Sequence, residues 1–187
     1  MKYSSDDYRL IDKTAIELRI DYGFLDEKLD VFALARKLNM HLIPYSYLSD
    51  EQKTIIASME DFLKDGFTVM RCDNGRWEFY TFYDDSVSKY RQRFTIAHEI
   101  KHVVFLEKEP DQKQEDLADH FARYLLAPSF LVMKYVHLSP FDVSDAFDIS
   151  FEASINALTG ANNRIDYGYS KLEDYEEEYL ELMKQQQ

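Results

Sequence analysis

The sequence has a single cysteine, Cys72, among its 187 residues. An intrachain disulfide and a cysteine-built metal site are therefore excluded. We predict that Cys72 is a small strand residue rather than a nucleophile. Basic residues are also scarce, with 22 Lys and Arg against 35 Asp and Glu and a net charge of −13. This balance argues against a protein that grips nucleic acid through its own basic surface, and it suits one that meets a basic partner.

Long apolar runs are missing as well, since no stretch approaches the length of a membrane span. The first seven residues, MKYSSDD, are too acidic and polar for a signal peptide. We therefore expect a cytoplasmic protein without membrane contact. Residues 1–86 contain no internal repeat and no low-complexity linker. The length predicts one domain over residues 1–160 with an acidic segment over 161–187.

The most informative pattern is His98-Glu99-x-x-His102. Residues four apart on a helix lie one turn above each other, so both imidazoles point the same way and can share one metal ion. Glu99 lies about 100° around the helix from His98. That position holds a carboxylate near the attacking water without making it a ligand, which is the arrangement that a zinc peptidase requires.

The surroundings of this pattern predict a helix with one buried face. One arc of that helix is apolar, formed by Phe94, Ala97, Ile100, Val104 and Phe105. The opposite arc carries Thr95, His98, Glu99 and His102, whereas a solvated face would normally carry Lys and Glu. The alternative is a surface helix with two chance histidines, because the bare pattern also occurs by accident.

A second amphipathic helix follows, and it carries two acids four residues apart, Glu115 and Asp119. Glu115 can complete a three-ligand metal shell. Asp119 can accept the remaining ring N–H of a ligand histidine and so fix its tautomer. The alternative is that both acids are charges favoured near a helix start by the helix dipole.

Together the two motifs, RFTIAHEIKH at 93–102 and ExxADxFAxxLLxP at 115–128, resemble the ImmA/IrrE family of metallopeptidases. The resemblance implies a gluzincin-like zinc endopeptidase, with His98, His102 and Glu115 as ligands and Glu99 as general base. It also implies a protein substrate, commonly a helix-turn-helix repressor, in mobile elements or stress responses. Two histidines and a carboxylate also accept manganese or iron, so Zn²⁺ is an expectation.

One residue departs from that family, in which position 101 is usually glycine. We expect the Lys101 side chain to extend outward to solvent or to intrude on a close backbone contact. This departure keeps an alternative open, a metal-binding docking module on the same fold with little peptidase activity. A third possibility, a helix-turn-helix transcription factor with chance histidines, is disfavoured by the acidic charge and by the spacing of Glu115 and Asp119.

The remaining patterns predict a mostly helical α+β, zincin-like fold with a small sheet or hairpin beside the helix that carries His98 and His102. Helices are expected over 6–22, 31–38, from 50 onward and over 130–138, followed by two short helices within 141–158, a polar loop over 161–170 and an acidic helix after 171. The helix that opens at the Ser49 capping box should turn Ile55, Ile56, Met59, Phe62 and Leu63 inward. Strands are expected over 40–44, 67–72 and 77–82, the last two joined by an Asn74-Gly75 turn.

Two functional assignments remain open in these patterns. The edge of the hairpin can hold substrate as an added strand, although its aromatic residues fit plain core packing at least as well. The turn FDIS at 147–150 resembles a helix-turn-helix junction, but no basic residue follows before Arg164, which favours packing over DNA reading. Four residues are candidate donors to the oxyanion: His120, Tyr124, His137 and Tyr83.

Overall fold

The computed structural model describes residues 4–58, 65–168 and 171–186. Over these residues the fold is α+β and mostly helical, as predicted. The helices are α1 (Ser5–Asp21), α2 (Val31–Lys37), α3 (Asp50–Ala57), α4 (Lys89–Val104), α5 (Gln112–Leu126), α6 (Ser129–Val132), α7 (Pro140–Phe147), α8 (Phe151–Asp166) and α9 (Asp174–Gln185). The strands are β1 (Met40–Pro44), β2 (Gly66–Asp73) and β3 (Arg76–Tyr83).

The chain divides into two compact units. The sheet unit is Val31–Ala122, and the helical unit combines Met1–Asp30 with Arg123–Gln187. The predicted division into residues 1–160 and 161–187 stays a prediction, and α8 runs across residue 160. No described helix has both the length and the apolar character needed to span a membrane.

The sheet unit is built on three strands in the order β1-β3-β2. β3 pairs in parallel with β1 and antiparallel with β2, so β2 is an edge strand of this sheet. The β2–β3 hairpin turns at Asn74 and Gly75, whose φ angles are 50° and 77°. Positive φ at both central residues belongs to the type I′ turn that an Asn-Gly pair favours, and the predicted hairpin is confirmed.

The sheet approaches α4 closely at the start of β2. A Cβ on Gly66 would lie 2.4 Å from Cγ2 of Thr95 and 2.9 Å from the Phe82 carbonyl oxygen. Both distances are below van der Waals contact, so only glycine allows β2 to approach α4 at this point. Gly66 therefore sets the distance between the edge strand and the helix that carries the two histidines.

α4 is buried on more sides than its sequence predicts. It begins after Ser88, whose hydroxyl accepts the Arg91 N–H, and it extends over the predicted range. Ala97 and Ile100 are buried as expected, whereas Phe94, Val104 and Phe105 are only half-buried. Most of the opposite arc is buried too, since Thr95, Glu99 and His102 are buried and His98 is half-buried.

α3 opens at the predicted capping box of Ser49 and Gln52. The expectation that Ile55 points inward is wrong, because its side chain is 60% exposed, and Ile56 is half-buried. The other three residues of that expectation, Met59, Phe62 and Leu63, lie outside the described residues.

The helical unit is organised around a buried arginine. Arg19 of α1 is fully buried, and its guanidinium donates to the backbone carbonyls of Phe24, Asp26 and Leu125. The same group lies 5.2 Å from the ring centroid of Tyr179 on α9. Burying a charge is costly unless it is hydrogen-bonded, and here the three carbonyls supply the partners.

Two helical predictions in this unit are wrong in their extent. The expected helix over 130–138 is the short α6 followed by a 3₁₀ turn, Met133–Tyr135. The expected polar loop from 161 is instead the continuation of α8 to Asp166. Packing explains this extension past Gly160, since Ala161 is buried and Arg164 bonds Ser129 and Glu176.

Candidate metal centre

α4 and α5 bring the three predicted ligand residues together. Nε2 of His98 lies 3.1 Å from Nε2 of His102 and 3.0 Å from Oε2 of Glu115. Nε2 of His102 lies 3.5 Å from the other oxygen of Glu115. His98, His102 and Glu115 are also the described group of side chains whose donor atoms could hold one metal ion.

Both histidines are oriented by a carboxylate on their other ring nitrogen. Nδ1 of His98 lies 3.0 Å from Asp119, which is the role predicted for that residue. Nδ1 of His102 lies 2.9 Å from Glu107. If both Nδ1–H groups donate to these carboxylates, Nε2 of each ring faces Glu115 and can bind a shared metal ion once it is deprotonated.

The donor set fits a small divalent metal. Zinc bonds nitrogen and carboxylate oxygen at about 2.0–2.2 Å, so neighbouring ligand atoms of a tetrahedral site lie about 3.3 Å apart. The three separations of 3.0, 3.1 and 3.5 Å bracket that value. Two imidazoles with one carboxylate also leave a fourth position for water or substrate, as in catalytic zinc sites.

The electrostatics of the group favour a cation between these three side chains. Burial alone lowers the pKa of His98, but its bonds with Asp119 and Glu115 outweigh burial and raise the pKa to about 9. Burial alone raises the pKa of Glu115, and the two histidines outweigh it and lower the pKa to about 2. The carboxylates around His98 therefore stabilise a positive charge at this place, whether it comes from a proton on His98 or from a metal ion.

Glu99 lies beside this group in a buried position, with only 5% of the residue exposed. Burial raises the pKa of Glu99, while the charges of both histidines and a hydrogen bond with Thr68 oppose the rise. Thr68 Oγ1 is also 2.9 Å from Oγ1 of the buried Thr81. Since a hydroxyl has one proton, a Thr68 that donates to Glu99 accepts from Thr81, and the pair fixes the carboxylate against the sheet.

A cavity of about 380 Å³ opens onto the group. His98, Glu99 and Glu115 line it from the two helices. The other lining residues are Asp65, Gly66, Arg91, Phe94, Thr95, Gln112, Asp116 and Asp119. The guanidinium of Arg91 donates to Asp65 across the cavity wall, a pair that the sequence pattern did not indicate.

Glu107 was also missed in the sequence, and the end of α4 explains its position. Leu106 adopts a left-handed conformation with φ 53°, and the Glu107 N–H bonds the His102 carbonyl at 2.9 Å. This closure matches a Schellman motif, which turns the chain back over the last helical turn. An acid just past a helix end, five residues after a ligand histidine, is the pattern that would have indicated it.

Of the two alternatives expected for Lys101, extension to solvent is wrong, and the side chain lies instead against the backbone of α5. Its side chain is 1% exposed, and its ammonium lies 2.5 Å from Glu107 and 3.0 Å from the Gln114 carbonyl oxygen. Burial lowers the pKa of Lys101, and the adjacent Glu107 carboxylate opposes that change. Lys101 does not line the cavity, so it does not obstruct the space above the metal group.

The four candidate oxyanion donors are absent from the described cavity lining. Tyr83 packs edge-to-face on Phe32, with ring centroids 5.7 Å apart, and His137 is exposed. His120 is half-buried on α5. Tyr124 is buried and donates to Glu176 at 2.6 Å within the helical unit. The structure therefore gives Tyr124 a role in packing, which the sequence alone could not tell apart from a catalytic role.

Tyr124→Phe therefore should reduce stability and leave the metal centre intact. The change removes one hydrogen bond to a buried carboxylate, and bonds to charged groups contribute about 1.5–3 kcal/mol. Urea unfolding should show a loss of this size, against less than about 0.5 kcal/mol for Tyr167→Phe, whose ring is 75% exposed. A Tyr124→Phe variant as stable as the native chain would contradict this packing role.

Comparison with known proteins gives one match, which covers residues 81–159 and therefore all of α4 and α5. The matching family is described as IrrE N-terminal-like domain, Peptidase_M78. No curated protein and no solved structure matches the chain. The resemblance predicted from the two motifs is thus confirmed over residues 81–159, which match the model of the IrrE N-terminal-like domain and support an assignment of this part of the chain to the ImmA/IrrE family.

Proposed function

We propose that this protein is a zinc-dependent endopeptidase that hydrolyses a peptide bond in a protein regulator. The observation that carries the proposal is that Nε2 of His98, Nε2 of His102 and the carboxylate oxygens of Glu115 lie 3.0–3.5 Å apart. Glu99 lines the cavity beside these atoms, together with His98 and Glu115. A pure metal scaffold has no use for a second buried carboxylate beside the ligands, whereas peptide hydrolysis needs a base at that position.

Zinc, when bound there, polarises the scissile carbonyl and lowers the pKa of the attacking water. His98 and His102 would hold the ion through Nε2 and Glu115 through its carboxylate. Asp119 and Glu107 keep both rings in the tautomer that frees Nε2. Zinc is proposed over manganese or iron because two imidazoles and one carboxylate form a common catalytic zinc set.

Glu99 performs the proton transfers in this proposal. Its carboxylate accepts the proton of the attacking water and passes it to the leaving amine. The hydrogen bond with Thr68 keeps the carboxylate oriented, and burial strengthens every electrostatic interaction in the site. The amide bond breaks between the carbonyl carbon and the nitrogen, and the products are a carboxylate and an amine.

The regulator that we propose as substrate is a helix-turn-helix repressor. The resemblance to the ImmA/IrrE family over residues 81–159 supports this choice. Charge supports it too, because a chain of net charge −13 suits a partner with a basic DNA-binding surface. The lining of the cavity also carries acidic side chains, namely Asp65, Asp116 and Asp119. The alternative of a docking module with little activity loses its main support, because Lys101 does not enter the cavity.

Metal-dependent cleavage is the test of this proposal. The full chain is stripped with a chelator, reloaded with zinc, and incubated with a candidate helix-turn-helix repressor, with fragments identified by mass spectrometry. We expect one defined cut that disappears on stripping and returns on reloading. Cleavage that survives stripping would contradict the zinc mechanism, and a repressor that binds the loaded protein uncut would favour the docking module.

A further inference from the structure

Lys101 makes two contacts that link the helices of the metal centre. Its ammonium donates to Oε2 of Glu107 at 2.5 Å and to the backbone carbonyl of Gln114 at 3.0 Å. The first acceptor follows α4, and the second lies in the first turn of α5. A fully buried ammonium is costly without partners, so these two bonds fix where its side chain lies.

The first contact reaches one ligand through its orienting carboxylate. Oε2 of Glu107 accepts from Lys101 and also lies 2.9 Å from Nδ1 of His102. A single oxygen is therefore shared between the ammonium and the imidazole. The position of that oxygen determines the rotation of the His102 ring, and Lys101 restrains that position.

The second contact reaches another ligand through the backbone. Gln114 immediately precedes Glu115, and its N–H is capped by the Asp111 side chain at 2.9 Å. Because helix backbone is rigid over one turn, holding the Gln114 carbonyl also restrains the Cα of Glu115. His102 and Glu115 approach within 3.5 Å and depend on the relative placement of two separate helices.

From these contacts we infer that Lys101 is a positioning residue of the metal centre, which fixes His102 on α4 relative to Glu115 on α5 through one buried ammonium. The inference rests on the metal-binding part of the proposed function and not on peptidase activity. Lys101 touches neither the cavity nor the proposed ligand atoms, so it acts through Glu107 and the Gln114 backbone.

A plain buried ion pair that only stabilises the fold is the competing explanation. It predicts that loss of Lys101 makes the chain less stable, while the folded fraction binds metal as before. Positioning predicts a different result, in which folded protein binds metal more weakly and with altered geometry. Measuring the affinity and coordination geometry of the bound metal, rather than the stability of the protein, distinguishes the two explanations.

The experiment compares four full-length proteins: native, Lys101→Met, Lys108→Met and the double variant Lys101→Met/Glu107→Gln. Lys108 is exposed and adjacent to Glu107, so its variant loses the same charge without the two contacts. The double variant leaves no unpaired buried charge, which keeps a folded protein available if the single variant unfolds. Zinc affinity is measured by chelator competition, and the electronic spectrum of bound Co²⁺ reports the ligand geometry.

We expect Lys101→Met to bind zinc about 10–100-fold more weakly, as for other residues that orient metal ligands, and Lys108→Met to stay within about twofold. The double variant also loses the carboxylate that orients His102, so it should bind zinc at least about fivefold more weakly than native, with an altered Co²⁺ spectrum. The support for Lys101 itself comes from the comparison of Lys101→Met with Lys108→Met. Lys101→Met within about twofold of native would overturn the inference. Native affinity and a native Co²⁺ spectrum in the double variant would overturn it as well.

Failure of the proposed peptidase is distinguishable from failure of this inference. If the native protein binds zinc but cuts nothing, only the proposed peptidase activity is contradicted. The role of Lys101 is still tested, because its variants are compared by their zinc affinity. Native protein that binds no zinc contradicts the metal centre and the positioning role together.

Discussion

Replacing Glu99 by glutamine is expected to slow cleavage of the repressor by about 10²–10⁴-fold, the range of a general base. Bound zinc should remain at the native level, because Glu99 is not part of the group formed by His98, His102 and Glu115. Glutamine has nearly the same size, and its amide oxygen can still accept from Thr68. The variant therefore removes the proton acceptor while preserving the packing around it.

The measurement combines metal analysis of the purified proteins with single-turnover cleavage of the repressor. Glu109→Gln is the matched control, since it removes an exposed carboxylate from the same unit and should cleave at the native rate. Loss of zinc from Glu99→Gln would make Glu99 a ligand rather than a base. A native cleavage rate in that variant would assign the proton transfer to another residue.

The core of the metal centre is predictable from sequence because helix geometry is local. His98 and His102 share a face at a spacing of four residues, and Glu115 and Asp119 do so on the next helix. Each pair needs only that its segment be helical, which the apolar periodicity indicates. The docking of the two helices is the only long-range step, and complementary ligand chemistry makes that step a reasonable expectation.

The environment of Lys101 is not predictable in the same way. Helical angle places it between the apolar arc and the histidines, and a long cation there normally extends to water. The structure buries it instead because Glu107 and the Gln114 carbonyl supply an anion and an acceptor. Glu107 reaches that position only through the left-handed Leu106, a backbone conformation that a leucine gives no reason to expect.

The length of α8 could not be predicted from the local sequence either. Gly160 and the polar residues 162–164 favour a helix end, yet α8 continues to Asp166. The continuation depends on Arg164, whose guanidinium bonds Ser129 and the buried Glu176. Those partners are 35 and 12 residues away in the chain, so the stabilising contacts are invisible to a local pattern.

The three acids at the start of α5 offer the sharpest test of the metal centre, because they lie within five residues yet contact different atoms. Glu115 lies 3.0 Å from Nε2 of His98, and Asp119 lies 3.0 Å from Nδ1 of the same ring. Asp116 lines the cavity and accepts from the Gln112 side chain instead. Their amide variants each remove one negative charge at nearly the same place.

Zinc affinity should therefore fall in a fixed order across these variants. Glu115→Gln loses a ligand and should fall by more than the roughly 10–100-fold expected for Asp119→Asn, whose carboxylate only orients His98. Asp116→Asn is the control and should bind as native. Chelator competition gives all three affinities. Equal losses in the three variants would mean that an acidic patch attracts the ion without a defined ligand set. The predicted order instead requires Glu115 to bind the ion itself and Asp119 to orient His98, because simple charge attraction differs much less among acids placed so close together.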